Sequence, residues 1–443
     1  MPKGLQKIQV SFEDSTLTHY GGMLLFQQFC RKLDLKRLFQ RYIPWRRRAN
    51  SYQGAELLLC LLYSMVAGLK RISDTRILAY NRSFQRLLGL TRFPSDTTLR
   101  DFLRGLHPAE LKGLIRLHDL LRQKMRALPK ASTRFILDLD STVLPLYGWT
   151  IQGARIGYNP HKPCRPSYHP LVCFEGRTQD SLHGLLRPGN YHAGVAAARF
   201  FRLCRAKLPV YTHRKKISAR LRADAGFYNG PFIQFLDGSQ TNYVIVAKLT
   251  HRLKALATRL HFRTFRQQGS WQVAELSYHP MGWTSLHRFI LIRRPKPSKE
   301  EPTLQLTLWQ FKDFFYHGFV SNLTLQPEAV YRFYNQRALV ELDLRELKDS
   351  LPLGKIPTTR FTANATHFEL ILLAYDLVNW FRRLCLSGPW RNARLHTLRR
   401  EVFMLPARLL KSQHRNLLKL PAQYPHRLRF QKALAQLHRL HVS

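Results

Sequence analysis

The chain has 443 residues, and 71 Lys+Arg against 27 Asp+Glu leave a net charge of +44 and a pI near 10.8. Its 45% hydrophobic and 12% aromatic content can fill a large core, which excludes a disordered basic tail. The longest apolar run, Leu57–Leu69, has 13 residues, short of the ~20 that cross a bilayer, so the charge is read as facing nucleic acid ahead of an anionic membrane. Met1-Pro2-Lys3-Gly4 is followed by no apolar signal stretch, and the expectation is a cytoplasmic protein. The six cysteines form no Cys-x2-Cys pair and are expected to be reduced and mostly packed.

Apolar positions recur at helical spacing in Met23 to Phe39, Gln53 to Leu69 and Thr97 to Leu121, so residues 1–130 are predicted to form a helical domain. Ser95 or Asp96 is placed to cap the helix that carries Leu99 to Leu106. That helix, with Arg100 and Arg104 on its surface, suits a helix-turn-helix reader of DNA; the alternative is an ordinary bundle with a solvated basic face. From Arg134 the period changes to two. Strands are predicted at Arg134–Asp140, His169–Glu175, Leu182–Arg187, Ile217–Ala223 and Asn242–Leu249, with a helix at Ala193–Leu208. This makes 131–250 an α/β domain on a mixed sheet, in the order expected of a ribonuclease H-like fold. Trp271–Tyr278, His287–Ile292 and Leu304–Gln310 read as strands of a β-rich insertion, 251–325. One long helix is predicted over 327–350, with Pro327 in its first turn and Leu351-Pro352-Leu353-Gly354 ending it. Residues 326–390 are assigned to the second part of the α/β core. Helices are expected to dominate the remainder. Residues 391–443 hold 12 Lys+Arg and one acid, Glu401, and form either a DNA-contacting arm or a solvated basic face.

With so few acids, those inside apolar segments stand out. Alternation puts Asp138 and Asp140 on one strand face, opposite Phe135, Leu137 and Leu139. Two adjacent carboxylates repel and need water, a cation or a basic side chain to stay charged. Asp224 follows the strand Ile217–Ala223, at a strand end of the kind ligands favour in open α/β sheets; capping of the next turn is the plain alternative. On a single helix Tyr334, Arg337, Glu341 and Lys348 fall within about 60° of one another. Val330, Phe333, Leu339, Val340, Leu342, Leu344 and Leu347 flank them, so this polar stripe is read as facing a site.

Tyr334-x2-Arg337-x3-Glu341-x6-Lys348 resembles the Tyr-Arg-Glu-Lys signature of DDE-type transposases of bacterial insertion sequences that move by cut and paste. Asp140-Ser141-Thr142 resembles that family's first acid and Arg222-Ala223-Asp224-Ala225-Gly226-Phe227 its second. Gly157-Tyr158-Asn159-Pro160 and Ser167-Tyr168-His169-Pro170-Leu171 are similar to the same group. The resemblance implies a ribonuclease H-like core in which Asp140, Asp224 and Glu341 are catalytic and bind two Mg²⁺ or Mn²⁺ ions, the cations that carboxylate oxygens suit. It implies cleavage and strand transfer of element ends on double-stranded DNA, by a homodimer or larger complex associated with the nucleoid. Arg337 and Lys348 would hold DNA phosphates and Tyr334 a terminal phosphate. Trp271, Trp283 and Trp309 are the candidates for stacking a flipped base, though core packing is the simpler role for each. Asp140 is preferred to Asp138 as the first ligand because Ser141-Thr142 follows it. His161, Cys164, His169 and Cys173 have no recognised zinc spacing. The competing functions are a catalytically silent DNA-binding derivative or regulator of such an element, and a structural RNA-binding protein.

Overall fold

Alternation of apolar and polar residues makes Arg134–Ser141 a strand whose two faces have different fates. In the computed structural model of the protein the described residues are 10–45, 52–127, 132–159, 162–209, 211–212, 215–265, 270–296, 309–311, 313–412 and 415–441. The chain forms two compact units, one from residues 125–345 and the other from 1–124 with 346–443.

The unit of 125–345 is built on one mixed sheet of ten strands among the described residues. Its first five are β1 (Arg134–Ser141), β2 (Leu171–Glu175), β3 (Ser181–Leu185), β4 (Ser218–Ala223) and β5 (Asn242–Val246). They lie in the order β3-β2-β1-β4-β5, with β1, β4 and β5 mutually parallel and β2 antiparallel to both its neighbours. Phe135, Leu137 and Leu139 of β1 join Leu221, Tyr243 and Ile245 in a core closed by helices Ala197–Ala206 and Gly230–Gly238, through Phe200, Phe201, Phe232 and Ile233. The opposite face of β5, Val244 and Val246, packs with Ile290, Phe319, Val330 and Tyr331.

Residues 251–325 are β-rich and built into the core sheet. Their strands Gln272–Tyr278, His287–Pro295, Trp309–Phe311 and Phe314–Ser321 continue the core sheet, because Phe314–Ser321 pairs antiparallel with β5. The sequence reading missed Phe314–Ser321, and residues 304–308 of its Leu304–Gln310 strand lie outside the described residues. The single helix predicted over 327–350 is two helices, Pro327–Asn335 and Ala338–Asp349, separated by Gln336 and Arg337. Neither residue is Gly or Pro; the break coincides with hydrogen bonds that draw Arg337 into the sheet.

In the other unit the apolar run becomes helix Gly54–Ala67, buried at every position except Glu56. It packs against Phe361–Cys385, a 25-residue helix buried over nearly its whole circumference, which also contacts Met23–Lys32, Asp96–Arg104 and Arg427–Arg439. The segment 326–390 is thus divided: 326–345 stays in the unit of the mixed sheet, and Phe361–Cys385, buried on nearly every side, lies among the helices of the other unit. Met23 to Phe39 is broken at Asp34, whose φ is 51°, and Thr97 to Leu121 is broken before Pro108. The basic end is not purely helical, since Ala407–Ser412 and Arg415–Lys419 form a hairpin that pairs with Leu17–Thr18. Among the described residues no helix is long and apolar enough to cross a membrane.

Two of the acids buried on Phe361–Cys385 share one buried partner. His118 lies 2.8 Å from Glu369 and 2.9 Å from Asp376, beside the buried Arg122. His367 is buried too, and burial depresses it to about 4. In the unfolded chain a histidine takes up its proton near pH ~6.5. Between these values the unfolded state binds more protons, so this contribution is complete above about pH 6.5 and is lost as pH falls toward 4. Urea unfolding at pH 7 and pH 5 is expected to show a stability loss on the order of 2 kcal/mol from this residue, and His367→Gln to flatten the slope.

Candidate active site

Strand pairing brings the acids together. Leu139 of β1 is opposite Ala223 of β4, so Asp140 and Asp224 follow at neighbouring strand ends. Asp138, one pleat back on the same face, is opposite Arg222 and bound by it through two bonds of 2.6 Å, Nε to Oδ1 and Nη2 to Oδ2. Both side chains are about 1% exposed. Arg222 also donates through Nη1 to the Phe333 carbonyl at 2.7 Å, tying helix Pro327–Asn335 to the sheet. Burial pushes the Asp138 carboxyl up against the pull of Arg222. A Cβ at Gly176 would stand 2.5 Å from Arg222 Nη2 and from Asp138 Oδ2, so this pair is walled in by backbone.

Asp140 is buried, with Oδ2 3.2 Å from Arg337 Nη2. The same Nη2 donates to the Leu139 carbonyl at 3.0 Å, and among the described residues Arg337 Nε is buried without a hydrogen-bond partner. Burial raises the Asp140 carboxyl to about 6; Arg337 opposes the rise, while Asp224 and Glu341 add to it. Burial works against the Arg337 charge, but Asp140, Tyr334 and Asp224 outweigh it and hold the guanidinium above its ordinary value. The three acids therefore share one electrostatic field, with Arg337 as its counter-charge. Asp224 is half-buried and caps the turn Ala225–Phe227, accepting from the Gly226 amide at 3.0 Å. Glu341 is exposed in the first turn of Ala338–Asp349.

The remaining sequence candidates divide. Tyr334 packs on Phe319 with ring centroids 4.8 Å apart, and burial lifts its hydroxyl to about 12 in the field of Arg337, Asp224, Asp140 and Glu341. Arg337, expected to face phosphate, is turned onto Asp140. Lys348 is exposed near the end of Ala338–Asp349, within the other compact unit. Arg100 and Arg104 lie on helix Asp96–Arg104, capped by Ser95, and pair with Asp96 at 2.9 Å and Asp101 at 3.2 Å. Trp271 packs on Tyr331, Trp283 on Tyr228 and His287, and Trp309 on Tyr316 and Phe311. Cys173 is a buried core residue, Cys164 is exposed, and His161 lies outside the described residues.

Two histidines lie beside the acids: His169, weighed in the sequence only as a zinc ligand and as part of the family-like stretch, and His192, which was not singled out. His169 Nδ1 donates to the Tyr191 carbonyl at 2.6 Å, which leaves Nε2 to accept from the Ser141 hydroxyl at 3.1 Å, next to Asp140. Burial, then Arg187, lowers His169, with Asp224 pulling the other way. His192 is lowered by burial and Lys248 and also feels Asp224. The signal for His169 was present in the Ser167-Tyr168-His169-Pro170-Leu171 stretch; nothing local marked His192 or Lys248.

Among the described residues no group of three His, Cys, Asp or Glu side chains is gathered closely enough to enclose a metal ion. The donor chemistry still fits a hard divalent cation. All three acids offer oxygen, and their mutual repulsion is what such a charge relieves.

Two carboxylates thus stand at adjoining ends of parallel strands on a mixed α/β sheet, opposed by one buried arginine. Residues 2–442 match the transposase DDE domain group 1 family, and the chain belongs to it. It is a DNA transposase, and proteins of this family use divalent metal ions. No curated protein matches the sequence. Among solved structures, the piggyBac transposase synaptic complex with hairpin DNA is similar at 13% identity and a TM-score of 0.42, over 87% of this chain and 80% of that one. The Drosophila P element transposase strand transfer complex is similar at 10% identity and a TM-score of 0.25, over 52% and 49%.

Proposed function

We propose that this transposase has a ribonuclease H-like core in which Asp140, Asp224 and Glu341 hold two Mg²⁺ or Mn²⁺ ions and direct cleavage and strand transfer at the ends of its element. The observation that carries the reading is the shared field of the three acids, with Asp140 and Asp224 at adjoining strand ends. The strand order β3-β2-β1-β4-β5, with only β2 reversed against β1, supports the core assignment. When bound, the ions supply activation of the attacking oxygen and stabilisation of the leaving oxygen in an in-line displacement. Asp140 offers one carboxylate from a rigid strand. Asp224 offers a second, oriented by its bond to the Gly226 amide.

Arg337 balances the Asp140 charge in the free protein and, together with Lys348, is placed in the sequence signature to hold DNA phosphate. Tyr334, a neutral hydroxyl at neutral pH, offers a hydrogen bond to a terminal phosphate. His169 holds Ser141 beside Asp140. The basic surface, Arg100 and Arg104 included, binds the duplex, and a homodimer or larger complex pairs the two ends. Purified protein given Mg²⁺ or Mn²⁺ and DNA carrying the element ends is expected to nick and join it, and EDTA to stop both steps. Cleavage that persists at full rate in EDTA counts against the reading.

A further inference from the structure

We propose that the sheet face carrying the acids has a second anion site at its far end, in a cavity of about 510 Å³ lined by Arg134, Arg177 and Arg220, and that this site takes a phosphate ester. Arg134 and Ile136 alternate onto the same face of β1 as Asp138 and Asp140, and Ser218 and Arg220 share the corresponding face of β4 with Arg222. Arg134 stands opposite Ser218, and Arg220 stands between Ile136 on one side and Asn242 of β5 on the other. Arg134 and Asp140 are six steps apart along the strand, about 20 Å. The cavity is therefore distinct from the acid site. Phe333 and Gln336, on either side of the end of helix Pro327–Asn335, complete the lining.

A solvated basic edge is the plain alternative, and two features set this place apart from one. First, three arginines contribute to the lining of a single concavity in which no described lining residue is acidic. Among the described residues Arg177 is bonded through its side chain to the neutral Ser132 hydroxyl at 3.2 Å, and Arg220 lies 5.7 Å from the Phe333 ring centroid. Second, the buried acids of the flanking strands are already committed. Both oxygens of Asp138 are taken by Arg222. Glu175 Oε1 accepts from the Ile136 amide, and Oε2 from those of Arg177 and Thr178. Three cations around one cavity repel one another, and an entering anion relieves that repulsion. Guanidinium forks match phosphate oxygens, Asn242 and Gln336 add neutral donors, and the volume suits one nucleotide.

Two sources offer that chemistry, the backbone of DNA bound by the transposase and a free nucleotide. Only the first rests on the function proposed above. The test uses the full chain, with Arg134→Gln/Arg177→Gln as the charge-removing variant and Arg134→Lys/Arg177→Lys as the charge-keeping one. Both positions are exposed, and thermal melting checks that each variant is folded. Affinity for a duplex is measured across salt concentrations, and AMP is titrated separately by calorimetry.

If DNA fills the site, the Gln variant binds roughly tenfold more weakly at 0.15 M salt, and its log K against log[salt] slope is shallower by about 0.9 for each phosphate that is no longer neutralised; the Lys variant stays near wild type. If a free nucleotide fills it, AMP binds the wild type and not the Gln variant, while the DNA slopes coincide. A folded Gln variant with unchanged affinity and slope, together with AMP binding to neither protein, overturns the proposal. Failure of the wild type to bind DNA would strike the transposase mechanism, and the AMP titration would still decide the cavity.

Discussion

Asp140→Ala, Asp224→Ala and Glu341→Ala are each expected to lower cleavage of element-end DNA by at least about 10²-fold, the scale on which loss of one electrostatic stabiliser is felt at an active site. Binding of the same DNA should hold or tighten, because each substitution removes a negative charge from a surface that meets phosphate. The two readouts separate this outcome from unfolding, which would abolish both. Asp140→Ala has a further consequence, since Arg337 loses its carboxylate partner and keeps only the Leu139 carbonyl. A cleavage rate within twofold of wild type for any one variant would remove that acid from the proposed set. Gel-based cleavage and fluorescence anisotropy on one preparation make the comparison.

Asp138→Ala, two residues away, is expected to act on the fold instead. It leaves Arg222 buried with only the Phe333 carbonyl, and breaking a buried pair on one side costs about 3–5 kcal/mol. Denaturant unfolding should show the loss, with cleavage per folded molecule little changed. Replacing both partners, as Asp138→Leu with Arg222→Met, should recover much of the stability, because the uncompensated charge is gone. If Asp138→Ala instead leaves stability intact and abolishes cleavage, Asp138 is the ligand and the preference for Asp140 is reversed.

That contrast shows where sequence reading succeeds. Period-two alternation located β1 to β5 to within a few residues, since a sheet buried on both faces leaves little freedom in which residues turn which way. It also put Asp138 and Asp140 on one face. It could not separate their surroundings, which depend on Arg222 arriving from a strand paired in register 84 positions later. The break at Gln336 and Arg337 was invisible because no Gly or Pro marks it and the apolar period runs on across it. The sheet continuity of 251–325 escaped for a related reason: periodicity reports that a segment is a strand and says nothing of its partner. Helix Phe361–Cys385 sits with residues far from it in sequence, an association that local patterning does not report. His192 lies in a loop, where no period exists to read, and the strand period around His169 said nothing of the Ser141 hydroxyl it meets.

The pairing of Phe314–Ser321 with β5 also limits how the unit of 125–345 can be dissected. Were residues 251–325 a bead on the chain, excising them would leave the five-stranded core intact. Instead they cover the open side of β5, from Val244 to Val246, with a ladder of main-chain hydrogen bonds. Removing them would bare a flat apolar edge in the centre of the sheet, the kind of surface that recruits another chain. Any fragment that keeps β5 covered must therefore keep the whole ten-stranded sheet.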